Sequence, residues 1–251
     1  MNWQMVKIKD SFNEVFGDKK KVLCVFAHPD DMELICGGTM ARFINGGGKV
    51  RLVVTTNGGK GVKNLKGISE EGFAKRRSVE QIGGGLIIGI PKEENFNLGI
   101  ADGEVESSVE NIGKIVFHIR QFKPDIVITH NPSPVFVSFS KTIGWVNHRD
   151  HRNTALIAVD ASYPYSRDRG FFRQQLERDG LEPHEVNCLL MSDSYTDPSL
   201  RYFEVGDYLQ QREKALLAHK SVTNPAMIKD LMEEIKFKEG SFEPLGFRDF
   251  D

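Results

Sequence analysis

Residues 21–27 (KVLCVFA) are apolar without alternation, the pattern of a short strand buried on both faces. The run stops abruptly at His28-Pro29-Asp30-Asp31. From Gly37 to about Asn45 the residues suit a helix, which Gly46-Gly47-Gly48 would end. A second apolar run, 49–56 (KVRLVVTT), stops at the loop NGGKGVKNLKG. Ser69 offers an N-cap for a helix to about Ile82, and LIIG (86–89) reads as a third strand. Ser107 and Glu110 have capping-box spacing at the start of a helix to about Phe122. Pro124 breaks that helix, and DIVITH (125–130) reads as a fourth strand. Strand and helix alternate, which predicts an α/β fold: a mainly parallel sheet with helices on both faces. Ligands of such sheets sit beyond the carboxyl ends of the strands, where the chain order reverses. HPDD ends the first strand, TTNGG the second and His130 the fourth, so three polar loops are expected on one edge.

Beyond residue 131 the pattern is less regular. NPSPVFVSFSKTIGWV (131–146) reads as a long loop, a length often tied to function. A helix is expected from about His148 to Ala161, capped by Asn147, and EVNCLLMS (185–192) as a strand. Two further helices are expected at roughly 207–219 and 225–238, while 163–184 is left unassigned. No internal repeat or composition shift marks a second domain, so 1–251 reads as one.

Composition narrows the class. With 39% hydrophobic and 27% charged residues the chain is an ordinary globular one, and a net charge of −2 argues against a nucleic-acid partner. Cys24, Cys36 and Cys188 form no disulfide framework and no CxxC motif. The start lacks the basic-then-apolar layout of a signal peptide, and no apolar run approaches the ~20 residues of a membrane span. A reduced, cytoplasmic protein without a membrane partner is expected.

Two polar segments carry the chemistry, HPDD (28–31) and NHRDH (147–151). His and Asp suit a borderline metal such as zinc, and a catalytic site needs three such ligands plus an open position. His28 and Asp31 are three apart on a short turn, and His148 and His151 three apart on one face of the expected helix. Each piece alone has a plainer reading. A single strand-end histidine is more often a hydrogen-bonded core residue, one of Asp30 and Asp31 could simply cap the next helix, and HxDH could be a solvated face. Five polar groups at two places expected to meet favour the metal site.

HPDDMELICGG, VVTTNGGKG, RRSVE, HRDH and KALLAHKS occur in that order over residues 21–221. Together they resemble the LmbE/PIG-L family of zinc-dependent N-deacetylases. The resemblance implies a Rossmann-like, LmbE-like fold with a single zinc ion, or ferrous iron, and removal of an acetyl group from an N-acetylglucosamine-type sugar or glycoconjugate. It implies His28, Asp31 and His151 as metal ligands and Asp30 as the general base. It makes His148 the residue that stabilises the oxyanion or protonates the leaving amine. Arg77, and more loosely Asp102, correspond to residues that serve the substrate. Asp150 could position His148, although residues two apart on a helix do not face each other. The chemistry also accounts for the abrupt end of the first strand. A cation offsets the cost of carboxylates there, and zinc lowers the pKa of water from about 15.7 to about 7. Pro29 biases His28 away from helical geometry and helps hold the turn.

Other features are less sharp. Gly37-Gly38 is expected to let a helix pack closely on the sheet, and NGGKG lacks the ending of a P-loop, so it reads as a pocket wall. His219 is either buried and structural or near the site, and Val222 stands where the family usually has glutamine. His130 reads as an ordinary strand-end residue before a pocket-lining one. The chain has extra residues before HRDH, and their Phe136, Phe139 and Trp145 could form a wall for a sugar ring, a homo-oligomer contact or ordinary loop packing. Two rival functions remain at this level: hydrolysis of a non-sugar amide, and a sugar- or metal-binding protein without turnover. Asp30 separates the second from an enzyme, because binding alone needs no carboxylate beside the metal but off it. A dinucleotide-binding oxidoreductase is disfavoured, since HPDD stands where GxGxxG would be needed.

Overall fold

A computed structural model describes residues 8–61, 67–138, 144–192 and 197–250. Phe139 and residues 62–66 of the glycine-rich loop lie outside them. The first half runs α1 (Phe12–Phe16), β1 (Lys21–Phe26), α2 (Asp31–Asn45), β2 (Lys49–Thr56), α3 (Glu70–Ile88), β3 (Asn95–Ile100), α4 (Val109–Phe122) and β4 (Ile126–Thr129). The second half runs β5 (Phe136–Ser138), β6 (Gly144–Val146), α5 (Arg149–Asp160), α6 (Arg173–Glu177), β7 (Cys188–Met191), β8 (Leu200–Glu204), α7 (Leu209–Ala218), α8 (Pro225–Glu234), β9 (Lys236–Phe237) and β10 (Gly240–Asp249). The main sheet has the order β3-β2-β1-β4-β7-β10-β8, with β9 paired to β10. β3, β2, β1, β4 and β7 run parallel, and β10 is antiparallel to both its neighbours in that order. The chain steps outward from β1 to β2 and β3, then returns to lay β4 on the other side of β1. That reversal leaves a crevice at the carboxyl ends of β1 and β4, where His28 and His130 stand.

β1 is uninterrupted in its apolar character because both its faces are covered. Val22, Cys24 and Phe26 join a core cluster with Met40, Ala41 and Phe43 of α2. Leu23 and Val25 join the opposite cluster, with Ile115, Ile119 and Ile157 of α4 and α5. Among the described residues no helix is long and apolar enough to cross a membrane.

The structure corrects several boundaries. LIIG (86–89) is not a strand: its first three residues are the end of α3, Gly89 caps that helix at φ 109°, and the third strand is β3. Gly83-Gly84-Gly85 does not break the helix, and two of these glycines serve close packing. A side chain on Gly84 would run into Glu33 and His219, and one on Gly85 into Asn95. β3 sits at the sheet edge with no fully buried residue, which is why its sequence, NFNLGI, lacks an apolar run. Ser108 rather than Ser107 caps α4, accepting the Asn111 N–H. Residues 131–146 contain the antiparallel pair β5–β6. Segment 163–184 holds α6 and a set of turns gathered around buried Arg120. Its guanidinium donates to the carbonyls of Tyr165, Ser166, Asp168, Phe171 and Phe172.

His118 on α4 gives a stability prediction. It is 6% exposed and packs on the Phe96 ring at 4.7 Å; burial first, then the Arg51 cation, push its pKa down to about 4. The unfolded chain therefore binds this proton below about pH 6.5 while the native one does not until about 4. Stability should fall with pH across that window, by up to about 3 kcal/mol from this group. Urea unfolding of wild type and His118→Phe at pH 7 and pH 4.5 should show the smaller loss in the variant. Parallel losses in both would refute the assignment.

Candidate metal centre

β1 delivers His28 to the crevice and Pro29 turns the chain into α2, whose first residue is Asp31. The His28 backbone N–H donates to Asp31 Oδ2 at 2.7 Å, which fixes the carboxylate against the turn. His151, on the first turn of α5, completes a triad. His28 Nδ1 is 3.1 Å from His151 Nε2 and 3.5 Å from Asp31 Oδ2, and Asp31 Oδ1 is 3.6 Å from His151 Nε2. Ligands bonded to a tetrahedral zinc at about 2.0–2.1 Å lie roughly 3.3 Å apart. The donor set and its spacing therefore fit a zinc-type cation. Burial would raise Asp31, but His151 and His130 outweigh it and hold the carboxyl well below its usual range. Burial, with His130 beside it, keeps the His151 imidazole well below its ordinary value, the neutral form a metal needs.

His28 is gripped from its other nitrogen. Its Nε2 lies 3.2 Å from Asp102 Oδ1 and 3.5 Å from Asp150 Oδ2. A carboxylate there holds a proton on Nε2 and turns Nδ1 toward the triad. Burial opposes protonation of this ring, but Asp102, Asp150 and Asp31 together raise its pKa well above the ordinary value. Asp102 Oδ2 also accepts the Lys60 N–H, and Asp150 accepts the N–H groups of Gly103 and Val105. His28, His148 and Asp150 form a second set of close donors, but it shares His28 with the first and its carboxylate is already engaged by two amides.

Asp30 stands at the N-cap position of α2 without capping it: its side chain accepts no helix N–H. Its backbone is left-handed at φ 110°, a conformation that costs a non-glycine residue about 1–3 kcal/mol. Arg77 of α3, 4% exposed, holds it there. The guanidinium donates to Asp30 Oδ1 at 3.0 Å, to the Pro29 carbonyl and, at 3.4 Å, to the Gly58 carbonyl. Gly58 at φ 62° makes room, since a Cβ there would sit 2.6 Å from the Arg77 guanidinium. Burial pushes the Asp30 carboxyl up to about 6, with Arg77 opposing.

His148, not Asn147, is the N-cap of α5, and its Nδ1 accepts the Asp150 N–H at 3.2 Å. When neutral, the ring therefore carries its proton on Nε2. It is half exposed, its centroid 5.0 Å from His28 and 5.5 Å from His151. Burial and the neighbouring His28 lower its pKa. His130 is buried at the end of β4, stacked on His151 at 3.9 Å, with Nε2 accepting the Ala27 N–H. His219 is buried beside Glu33. All ten residues singled out from the sequence thus fall in or directly behind one crevice. Glu33 was not singled out; a lone glutamate inside the apolar stretch DMELI was the available signal.

The family described as GlcNAc-PI de-N-acetylase (PIG-L) matches residues 23–162. The chain belongs to the PIG-L family. This PIG-L chain is 28% identical over 215 residues to the diacetylchitobiose deacetylase of Thermococcus kodakarensis, covering 86% of this chain and 74% of that one. It is 24% identical to the mycothiol S-conjugate amidase of Streptomyces coelicolor, over 83% and 84% of the two chains. The solved N,N'-diacetylchitobiose deacetylase of Pyrococcus horikoshii matches it with a TM-score of 0.79 at 25% identity, over 94% of this chain and 86% of that one. PIG-L membership places the chain among hydrolases of the deacetylase class, on the same α/β architecture.

Proposed function

We propose that the chain hydrolyses an N-acetyl group, or a closely related N-acyl group, on a small amino sugar or its conjugate, using zinc or ferrous iron held by His28, Asp31 and His151. The observation that carries this reading is Asp30, a carboxylate beside the triad yet off it, clamped by a buried arginine. A protein that only stored a metal or bound a sugar would have no use for it. The cation would polarise the acyl carbonyl and make water a stronger acid. Asp30 takes a proton from the attacking water and returns it to the leaving amine as the C–N bond breaks, giving a carboxylic acid and a free amine. His148 presents Nε2–H to the oxygen on which negative charge develops. Asp102 and Asp150 hold the His28 ring, and Arg77 holds Asp30.

The test is metal content by mass spectrometry together with acetate release from diacetylchitobiose and N-acetylglucosamine. Wild type should carry about one equivalent of metal and release acetate, and His151→Ala should lose both. No metal in wild type after reconstitution would overturn the proposal. The amidase relative motivates a second reading, a non-sugar amide as substrate. Metal-dependent cleavage of a thiol-conjugate amide without acetate release from either sugar would favour it.

A further inference from the structure

Behind the metal centre lies a second cluster of buried charges. His219, at the C-terminal end of α7, is wholly buried, and its Nε2 approaches Glu33 Oε1, equally buried, at 3.4 Å. Beyond that approach, neither His219 nitrogen nor Glu33 Oε1 has a hydrogen-bond partner among the described residues. Glu33 belongs to the first turn of α2, the turn that begins with Asp31 directly after Asp30. Gly84 of α3 lies flat against the pair: a Cβ there would come within 2.7 Å of His219 Nε2 and closer still to Glu33. Arg77, Glu80 and Gly84 occupy one face of α3, at spacings of three and four. Ser221 donates to Glu80 from its N–H and its hydroxyl, so the His219–Ser221 segment is fastened along that face. The charges that act on His219 are Glu33, Asp30 and Arg77.

Burying a glutamate and a histidine with so few hydrogen bonds is expensive, and apolar side chains of similar volume would serve packing at least as well. The pair does have a mechanical consequence. It grips the turn that carries Asp30, while Arg77, on the same face of α3 as Gly84, grips the Asp30 carboxylate itself. The left-handed backbone at Asp30 needs such over-determination to persist.

We propose that His219, acting through Glu33, is a positioning residue for the hydrolysis: it holds the first turn of α2 so that the Asp30 carboxylate stays on Arg77 and faces the metal centre. His219 does not touch the substrate or the metal ligands in this role. Its removal should leave binding intact and damage only the proton transfer. A misplacement of about 1 Å at such a group can lower a rate about 100-fold.

This inference rests on the deacetylase reading, and its test separates the two. Metal-loaded wild type, His219→Leu and His219→Gln are assayed for acetate release, metal content and Tm, and crystal structures of wild type and variants are compared. For His219→Leu we expect full metal content, an unchanged KM and a kcat roughly 10–100-fold lower. The crystal structure should show Asp30 displaced from Arg77. His219→Gln, which keeps a donor for Glu33, should recover part of the rate, and it decides the question if the leucine variant does not fold. A variant with lowered Tm but unchanged kcat, or one in which Asp30 remains on Arg77, overturns the inference. If wild type releases no acetate from either sugar, the deacetylase reading fails instead, and the position of Asp30 in the variant structures alone decides the role of His219.

Discussion

Asp30→Asn is expected to retain its metal and its fold yet lose about 10²–10⁴-fold in kcat, the contribution typical of a positioned general base. Asparagine is the informative replacement because it tolerates the left-handed backbone better than most residues. It also keeps an oxygen for Arg77, and only the ability to take a proton disappears. Alanine would mix that loss with backbone strain and with an unpaired, buried Arg77. The measurements are kcat, KM, bound metal and Tm on the same preparations. A kcat within a few-fold of wild type, with metal and Tm unchanged, would mean that another group handles the proton, and the case for an enzyme over a binding protein would lose its main support. If metal were lost along with activity, Asp30 would be a ligand and the division of labour between Asp30 and Asp31 would be wrong.

Part of this site was legible because it is local. His28, Asp30 and Asp31 are adjacent, and the apolar run before them could only be a strand ending at the sheet edge. HRDH on a helix gave the second half, and the alternation of strand and helix brought the two halves to the same edge. What could not be read depends on contacts between distant segments. Spacing set Asp150 beside His148, but the fold turns its carboxylate toward the His28 ring while its N–H meets His148. Arg77 matched a residue that serves the substrate, and that its guanidinium also holds Asp30, Pro29 and Gly58 depends on how α3 packs on the turn before α2. β10 has no counterpart among the expected elements, and its Pro244 and Gly246 are residues that disfavour an interior strand. Its pairing resolves the conflict: Pro244 faces only β8, and the ladder to β7 begins at Gly246. The glycines of α3 carried the opposite error: the helix was expected to end at about Ile82, before them, while the packing of Glu33 and His219 on Gly84 and of Asn95 on Gly85 gives two of them a place inside it.

β10 also supplies the second large effect, on stability. Helix α2 is broken at Cys36, whose φ of −142° and ψ of 22° are not helical. A break inside a helix orphans carbonyls on one side and N–H groups on the other. Arg212 of α7 answers the first, donating to the carbonyls of Glu33 at 3.0 Å and Leu34 at 2.6 Å. Glu243 of β10 answers the second, accepting the N–H groups of Gly38 and Thr39 and the Thr39 hydroxyl. The two side chains meet at 3.0 Å, both buried. Gly38 is required because a Cβ there would lie 2.8 Å from Val205, just past β8. Glu243→Ala should therefore strip two amides and a buried guanidinium at once, a loss of about 3–5 kcal/mol against a total stability on the order of 5–15 kcal/mol. Because the break lies one turn from Glu33, activity should fall with stability. Glu243→Gln, which keeps one acceptor and loses the charge, should lie between, and Arg212→Met with Glu243→Leu should lose less than the sum of the two single changes, since neither partner is left buried alone. Urea unfolding of the six proteins, the single variants Arg212→Met and Glu243→Leu included, decides it. A Glu243→Ala variant within 1 kcal/mol of wild type would mean that the two halves of α2 are held by apolar packing, with the ion pair incidental.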